Sequence, residues 1–156
     1  MVRFCDADYT GDRIERKSTN GNCQFLGENL ISWTSKRQEI IALSTSKVEY
    51  ISAASCYTQQ LWMKHQLKDC QINENSIHIY CDNTAAICLS KNLILHSRAN
   101  HIEIKYHSIR DYVQKGVFDI QFIDTKNQWA DIFTKHLIVE WFDFIKKNLN
   151  MHFVSN

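Results

Sequence analysis

Apolar and polar positions alternate through "VRFCDAD", Val2 to Asp8, and the alternation breaks at Gly11, as in a strand that turns one face to a core. Two more strand-like runs flank "GEN" in "GNCQFLGENLISWTSK", which predicts an opening antiparallel meander. From Ser44 the period lengthens. The stretch "STSKVEYISAASCYTQQLWMKHQLKDC" holds neither Gly nor Pro, and Val48, Ile51, Ser55, Trp62 and Leu67 fall near helical spacing, with Ser44 or Thr45 as the N-cap. "SIHIYCD" reads as a short buried strand and "NTAAICLSKN" as a brief helix. "HSRANHIEIKYHSIRDYVQKG" reads as a helix closed by Gly116. "VFDIQFID" alternates again, and "NQWADIFTKHLIVEWFDFIKKNLN" reads as one or two helices, apolar at Trp129, Ile132, Phe133, Trp141, Phe144, Ile145 and Leu149. Strands mixed with helices in this order predict an α/β fold, a mixed sheet covered by helices.

At 156 residues, with no internal repeat, low-complexity tract or linker, the chain suits one domain with a proper core. No apolar run approaches the roughly 20 residues of a membrane span, and no secretory signal pattern opens the sequence, so no membrane partner and an intracellular setting are expected. The six cysteines form no CxxC pair and no zinc spacing, which reads as small core residues in a reducing compartment. A net charge of +1 excludes a global basic field, so any nucleic-acid contact has to come from a local patch. Proline is absent, which leaves the turns to Gly, Asn and Asp.

Four acids stand at element ends. Asp6 interrupts an otherwise apolar strand, Glu49 lies one turn into the long helix, Asp82 ends "IHIYC", and Asp131 falls in the first turn of a helix beginning near Asn127. If the strands bearing Asp6 and Asp82 are neighbours, their carboxylates meet at one sheet edge, where the two helix starts can deliver Glu49 and Asp131. Carboxylates held that close raise one another's pKa and call for a cation. Oxygen-only clusters suit hard cations such as Mg2+ or Mn2+, and two such ions about 4 Å apart promote in-line phosphoryl displacement. The competing reading is that Asp6 and Asp82 cap strands, Glu49 and Asp131 favour helix N-termini, and nothing binds.

The runs "CDADYTGD", "DRIERKSTNG", "ISWTSKRQ", "ALSTSKVEY", "IYCDNTAAICLSKN", "HIEIKYHSIRDYV" and "QWADIFTK" resemble, in order, the ribonuclease H domain that ends the polyprotein of copia-type long-terminal-repeat retrotransposons. The resemblance runs from about Phe4 to Leu137, and "IVEWFDFIKKNLNMHFVSN" is similar to the ending of plant members. It implies a ribonuclease H-like fold over residues 1–137, a five-stranded mixed sheet with its first three strands antiparallel and helices on both faces, followed by a helical extension at 138–156. It also implies cleavage of the RNA strand of an RNA/DNA hybrid with two divalent ions, Mg2+ or Mn2+, bound together with substrate. Asp6, Glu49, Asp82 and Asp131 match the family's metal-binding, catalytic acids, which leaves Asp8 and Asp12 to serve the turn. By the same resemblance Ser44 and Thr45 hold a DNA phosphate at a helix start, and Asn83 reaches a ribose 2'-hydroxyl. Plain capping is the alternative for each. Lys91, Arg98 and Lys105, with Arg13, Arg16, Lys17 and Arg110, are candidates for backbone phosphates. Solvated surface charge is their alternative.

His96, His101 and His107 lack zinc-site spacing. The loop "DTKNQWAD" has no counterpart of the mobile histidine of cellular ribonucleases H, and Lys126 is its nearest charged group. Lys47 and Val48 depart from the usual family pattern before Glu49. Leu93 and His136 replace common prolines, and Arg3 stands where glycine is usual. Met1 lies only five residues before Asp6, so a short, loosely held first strand is expected. Two function classes follow. One is a monomeric hybrid-cutting enzyme in the cytoplasm, with the nucleus as alternative; the other is a module on the same fold that binds a protein partner without catalysis. Metal binding separates them.

Overall fold

The computed structural model describes residues 1–12, 14–72, 77–91, 112, 115–116 and 118–152. The helix expected up to Gly116 lies almost wholly outside these residues, as do Arg13, Arg98, Lys105, Arg110 and the three histidines His96, His101 and His107.

Five strands, β1 (Val2–Asp12), β2 (Lys17–Leu26), β3 (Asn29–Arg37), β4 (Ile77–Cys81) and β5 (Phe118–Phe122), form one sheet in the order β3-β2-β1-β4-β5. β1 pairs antiparallel with β2 and parallel with β4, and β4 is parallel to β5, so the sheet is mixed with its first three strands antiparallel. The β2–β3 turn contains Gly27 at φ 61°, a left-handed conformation that costs glycine little. At the β1–β2 turn Asp12 Oδ1 accepts from the backbone N–H groups of Ile14 (2.9 Å) and Glu15 (3.1 Å), and Arg37 clasps Asp12 and Glu15 at 3.2 and 2.9 Å. Asp12 thus serves the turn, as its position suggests.

The expectation of a short, loosely held first strand is overturned. β1 runs 11 residues and is the central strand. Paired on both sides, it needs no run-in, and Asp6 is buried within it.

Along β1 the side chains alternate between two cores. Cys5 and Ala7 join Val48, Tyr57, Ile79 and Ile120 beneath α1 (Thr45–Asp69) and α2 (Thr84–Lys91). On the opposite face Phe4 joins Cys23, Phe25, Ala130, Ile145 and Leu149, covered by a 3-10 turn (Trp129–Phe133) and α3 (Val139–Asn148). Phe4 stacks on Trp129 and meets Phe25 edge-on, the two favoured aromatic geometries. Ser44 caps α1 by accepting from Lys47 N–H at 3.4 Å. All buried residues of α1 fall between Val48 and Gln60, and Trp62, expected on its apolar side, is 63% exposed. A 25-residue helix is about 38 Å long and outruns the strands it covers.

Arg3 is fully buried between β1 and α1. The Gln60 amide oxygen accepts from its Nε at 2.6 Å, and Met1 and Met63 sulfurs lie 2.9 and 3.7 Å from its Nη2. Burial lowers the Arg3 pKa to about 10 and raises that of neighbouring Cys56 to about 11. Four cysteines, Cys5, Cys23, Cys56 and Cys81, are buried thiols as expected, whereas Cys70 and Cys88 are exposed. Among the described residues no helix is long and apolar enough to cross a membrane.

Candidate functional site

The parallel register sets Phe4 against Tyr80, so Asp6 and Asp82 leave their adjacent strands in step, two residues further on. α1 is pinned over this edge from one face. Glu49 Oε1 accepts from Ala7 N–H at 3.3 Å, and Ser52 Oγ donates to the Asp6 carbonyl at 2.8 Å. From the other face comes the 3-10 turn bearing Asp131. Gln128, fully buried, caps this turn through Ala130 N–H (3.4 Å) and donates its Nε2 to the Cys5 carbonyl at 2.8 Å, tying the turn to β1. Gly21 on β2 is the register partner of Asp6, and a Cβ there would sit 2.5 Å from Thr134 Cγ2 and 2.9 Å from the Ala130 carbonyl. Glycine is therefore what lets the Asp131 segment lie on the sheet. Thr134 Oγ1 donates to Asp6 Oδ2, and Thr125 Oγ1 donates to Asp82 Oδ2 at 2.8 Å.

The four acids feel one another. Burial first, then Asp6, the Cys81 thiol and Asp82, push the Glu49 carboxyl up to about 10. Burial and then Asp6 raise Asp131 to about 7, and Asp131 shares a hydrogen bond with Asp6 when protonated. Lys135 Nζ lies 2.9 Å from Asp131 Oδ1 and 3.7 Å from Asp6 Oδ2. Partial burial works against its ammonium, but Asp6 and Asp131 outweigh it and hold the pKa above the ordinary value. Ligand atoms of Glu49, Cys81 and Asp82 all lie within 4.8 Å of one another. Glu49 Oε2 is buried without a hydrogen-bond partner, which is costly for a carboxylate unless a proton or a cation meets it. The donor set is dominated by carboxylate oxygen, and with one buried oxygen uncommitted it fits a hard divalent cation.

The structure therefore brings Asp6, Glu49, Asp82 and Asp131 together at one strand edge. The remaining candidates sit apart or are otherwise engaged. Ser44 accepts from a backbone N–H as an N-cap, Thr45 is exposed, and Asn83 Oδ1 caps α2 through Ala86 N–H at 3.0 Å. Lys91 is exposed at the end of α2, and Lys17 pairs with Glu15 at 2.9 Å. Lys135, not Lys126, is the charged neighbour of Asp131, and sequence reasoning passed over it along with Thr134, Gln128 and Gly21. One signal was available, because Lys135 follows Asp131 by four residues, the spacing of an intrahelical ion pair.

No family model matches the chain. Sequence relatives are found among plant transposons. The chain is 36% identical over 149 residues to the retrovirus-related Pol polyprotein from transposon TNT 1-94 of Nicotiana tabacum, and 39% identical over 135 residues to that from transposon RE1 of Arabidopsis thaliana. These alignments cover 96% and 86% of the chain but only 11% and 9% of the relatives, so it spans about a tenth of their length. Among solved structures, LC11-RNase H1 isolated from compost superposes with a TM-score of 0.58 at 14% identity, covering 85% of this chain and 91% of that one. The N-terminal RNase H domain of a Mycobacterium tuberculosis protein gives 0.50 at 9% identity, covering 94% and 95%. At these identities the structural likeness speaks for the fold, and the sequence relatives speak for the lineage. The chain is a ribonuclease H-fold domain that belongs with the retrovirus-related Pol polyproteins of plant transposons.

Proposed function

We propose that the chain is a ribonuclease H, a hydrolase that cuts the RNA strand of RNA/DNA hybrids with Mg2+ or Mn2+ held by Asp6, Glu49, Asp82 and Asp131. The observation behind this reading is that four acids, from two adjacent strands and from both faces of the sheet, gather at one edge, with Glu49 and Asp82 close together, Asp131 beside Asp6, and one buried Glu49 oxygen without a partner. Divalent ions bound there would neutralise charge developing on the phosphate and make water a better nucleophile. The protein's own groups fix the acids beforehand. Ser52 and Gln128 hold β1 at Asp6, Thr134 orients the Asp6 carboxylate, and Thr125 orients that of Asp82.

A polar groove of about 300 Å3 lies between α1 and the β2–β3 hairpin, lined in part by Asn20, Asn22, Thr34, Lys36, Ser55 and Gln59. Asn20 and Asn22 flank Gly21 along β2 and turn to the α1 face, opposite to the Asp131 segment. Amides, hydroxyls and one ammonium are the groups that hold sugar–phosphate backbone without reading bases, which suits a hybrid recognised by shape. With its Oδ1 committed to α2, Asn83 offers Nδ2 to a ribose 2'-hydroxyl.

The test is cleavage of a labelled RNA/DNA hybrid, beside single-stranded RNA and duplex DNA, in Mg2+, Mn2+ and chelator. Metal-dependent, hybrid-specific cutting is expected, and Asp6→Asn or Asp82→Asn abolishes it with the circular dichroism unchanged. Cutting that survives Asp82→Asn sinks the assignment. One observation favours the noncatalytic module, namely that Lys135 already pairs with two of the four acids. A folded protein that neither binds Mg2+ nor cuts would be that module.

A further inference from the structure

Positive charge is unevenly shared among the four acids. Lys135 donates its backbone N–H to the Asp131 carbonyl at 3.2 Å, which carries its side chain back over the face that bears Asp131. Its ammonium then bridges Asp131 (2.9 Å) and Asp6 (3.7 Å). Among the described residues, Glu49 and Asp82 accept hydrogen bonds from uncharged donors, the Ala7 N–H and the Thr125 hydroxyl, and Lys135 feels Asp82 less than it feels Asp6 and Asp131. One half of the cluster is thus filled by a cation of the chain's own, and the other half is not.

Resting on the reading of this site as a divalent-metal centre, we propose that Lys135 is a resident cation that occupies the Asp6–Asp131 half when metal is absent. Metal uptake at that half is then an exchange in which the ammonium swings out as a divalent ion comes in. Lysine suits this task because its ammonium is a compact, hydrated point charge on a flexible stem. The side chain is 36% exposed, so its head can return to water without disturbing the fold. A divalent ion brings twice the charge and sits closer to carboxylate oxygen, at about 2.0–2.1 Å for Mg2+. The exchange therefore favours metal at sufficient concentration, while without metal two adjacent aspartates are never left facing each other bare. Loading follows an order. The Glu49–Asp82 half fills first, with no ammonium of the chain's own to displace, and the Asp6–Asp131 half fills at higher metal as Lys135 leaves.

The experiment is a Mg2+ titration without nucleic acid on wild type, Lys135→Met, Lys135→Gln and Lys135→Arg, read by melting temperature and by equilibrium dialysis. In chelator, Lys135→Met and Lys135→Gln melt below wild type. With Mg2+ they half-saturate at roughly tenfold lower concentration, a change of about 1.4 kcal/mol, and Lys135→Arg stays near wild type. Should Lys135→Met not fold, Lys135→Gln is read the same way. If wild type is stabilised by Mg2+ but neither neutral variant shifts its half-saturation, Lys135 is a structural ion pair only and the exchange is overturned while the metal centre stands. If no variant is stabilised by Mg2+ or Mn2+, the metal-centre reading falls and the exchange falls with it.

Discussion

Glu49 shows at the scale of one residue how burial becomes a stability term. Its carboxyl is raised from 4.5 to about 10 and that of Asp131 from 3.8 to about 7, burial being the first cause of both. The native state holds these protons more tightly than the unfolded chain does, so folding is penalised as pH rises between the two values for each group. For Glu49 that window runs from 4.5 to about 10. In chelator the melting temperature is accordingly expected to fall from pH 5 to pH 9, and Glu49→Gln, which cannot ionise, flattens the decline. A variant with the wild-type slope would show that Glu49 is not its source. The four acids were legible in the sequence because each breaks an apolar pattern or ends an element. Lys135 was not, because a lysine four residues after an aspartate is ordinary on any solvated helix. What sets it apart is that the Asp131 turn faces inward, and no local pattern states that.

At the scale of elements, the site depends on how closely the Asp131 turn can lie on β2. A Cβ at Gly21 would meet the Ala130 backbone carbonyl at 2.9 Å as well as Thr134, whereas one at Gly11 would meet only the movable Asp8 side chain. Gly21→Ala is therefore expected to cost about 1–3 kcal/mol, as overpacking does, and to lower hybrid cleavage, with Gly11→Ala near neutral in both melting and cleavage assays. Equal effects of the two substitutions would refute the argument. The β2–β3 hairpin was readable because alternating runs flank a glycine, and α1 because a cap precedes a long stretch without breakers. The 3-10 character of Trp129–Phe133 was not readable, since apolar spacing over five residues does not separate it from one turn of α-helix. Trp62 misled because periodicity reports a face but not where the sheet beneath it stops.

The whole molecule is two cores sharing one sheet, and the site lies on their seam. Ile145 and Leu149 of the last helical stretch close the second core over Phe4, two residues from Asp6, and over Ala130, next to Asp131. Leu149→Ala is expected to destabilise by about 2–5 kcal/mol, seen as a lower midpoint in urea, and to weaken Mg2+ stabilisation as well. An unchanged midpoint would mean that this segment is not part of the core. Element order made the mixed sheet and its helical cover legible, and the family resemblance put helices on both faces. The partnership of β1 with β4, which sets Asp6 beside Asp82, joins strands far apart in the chain, and the sequence offered it only as a condition.

The seam also has a consequence for the timing of synthesis. The four acids enter the growing chain in the order Asp6 on β1, Glu49 on α1, Asp82 just past the end of β4 and Asp131 on the 3-10 turn. A nascent chain that has made its first four strands and reached α2 holds three of them and lacks both the Asp131 turn and Lys135. The four acids come together only when this late segment docks against Gly21. The activity proposed for this edge thus depends on the last of its four acids to be made, and a product interrupted before Asp131 carries the five strands without that acid.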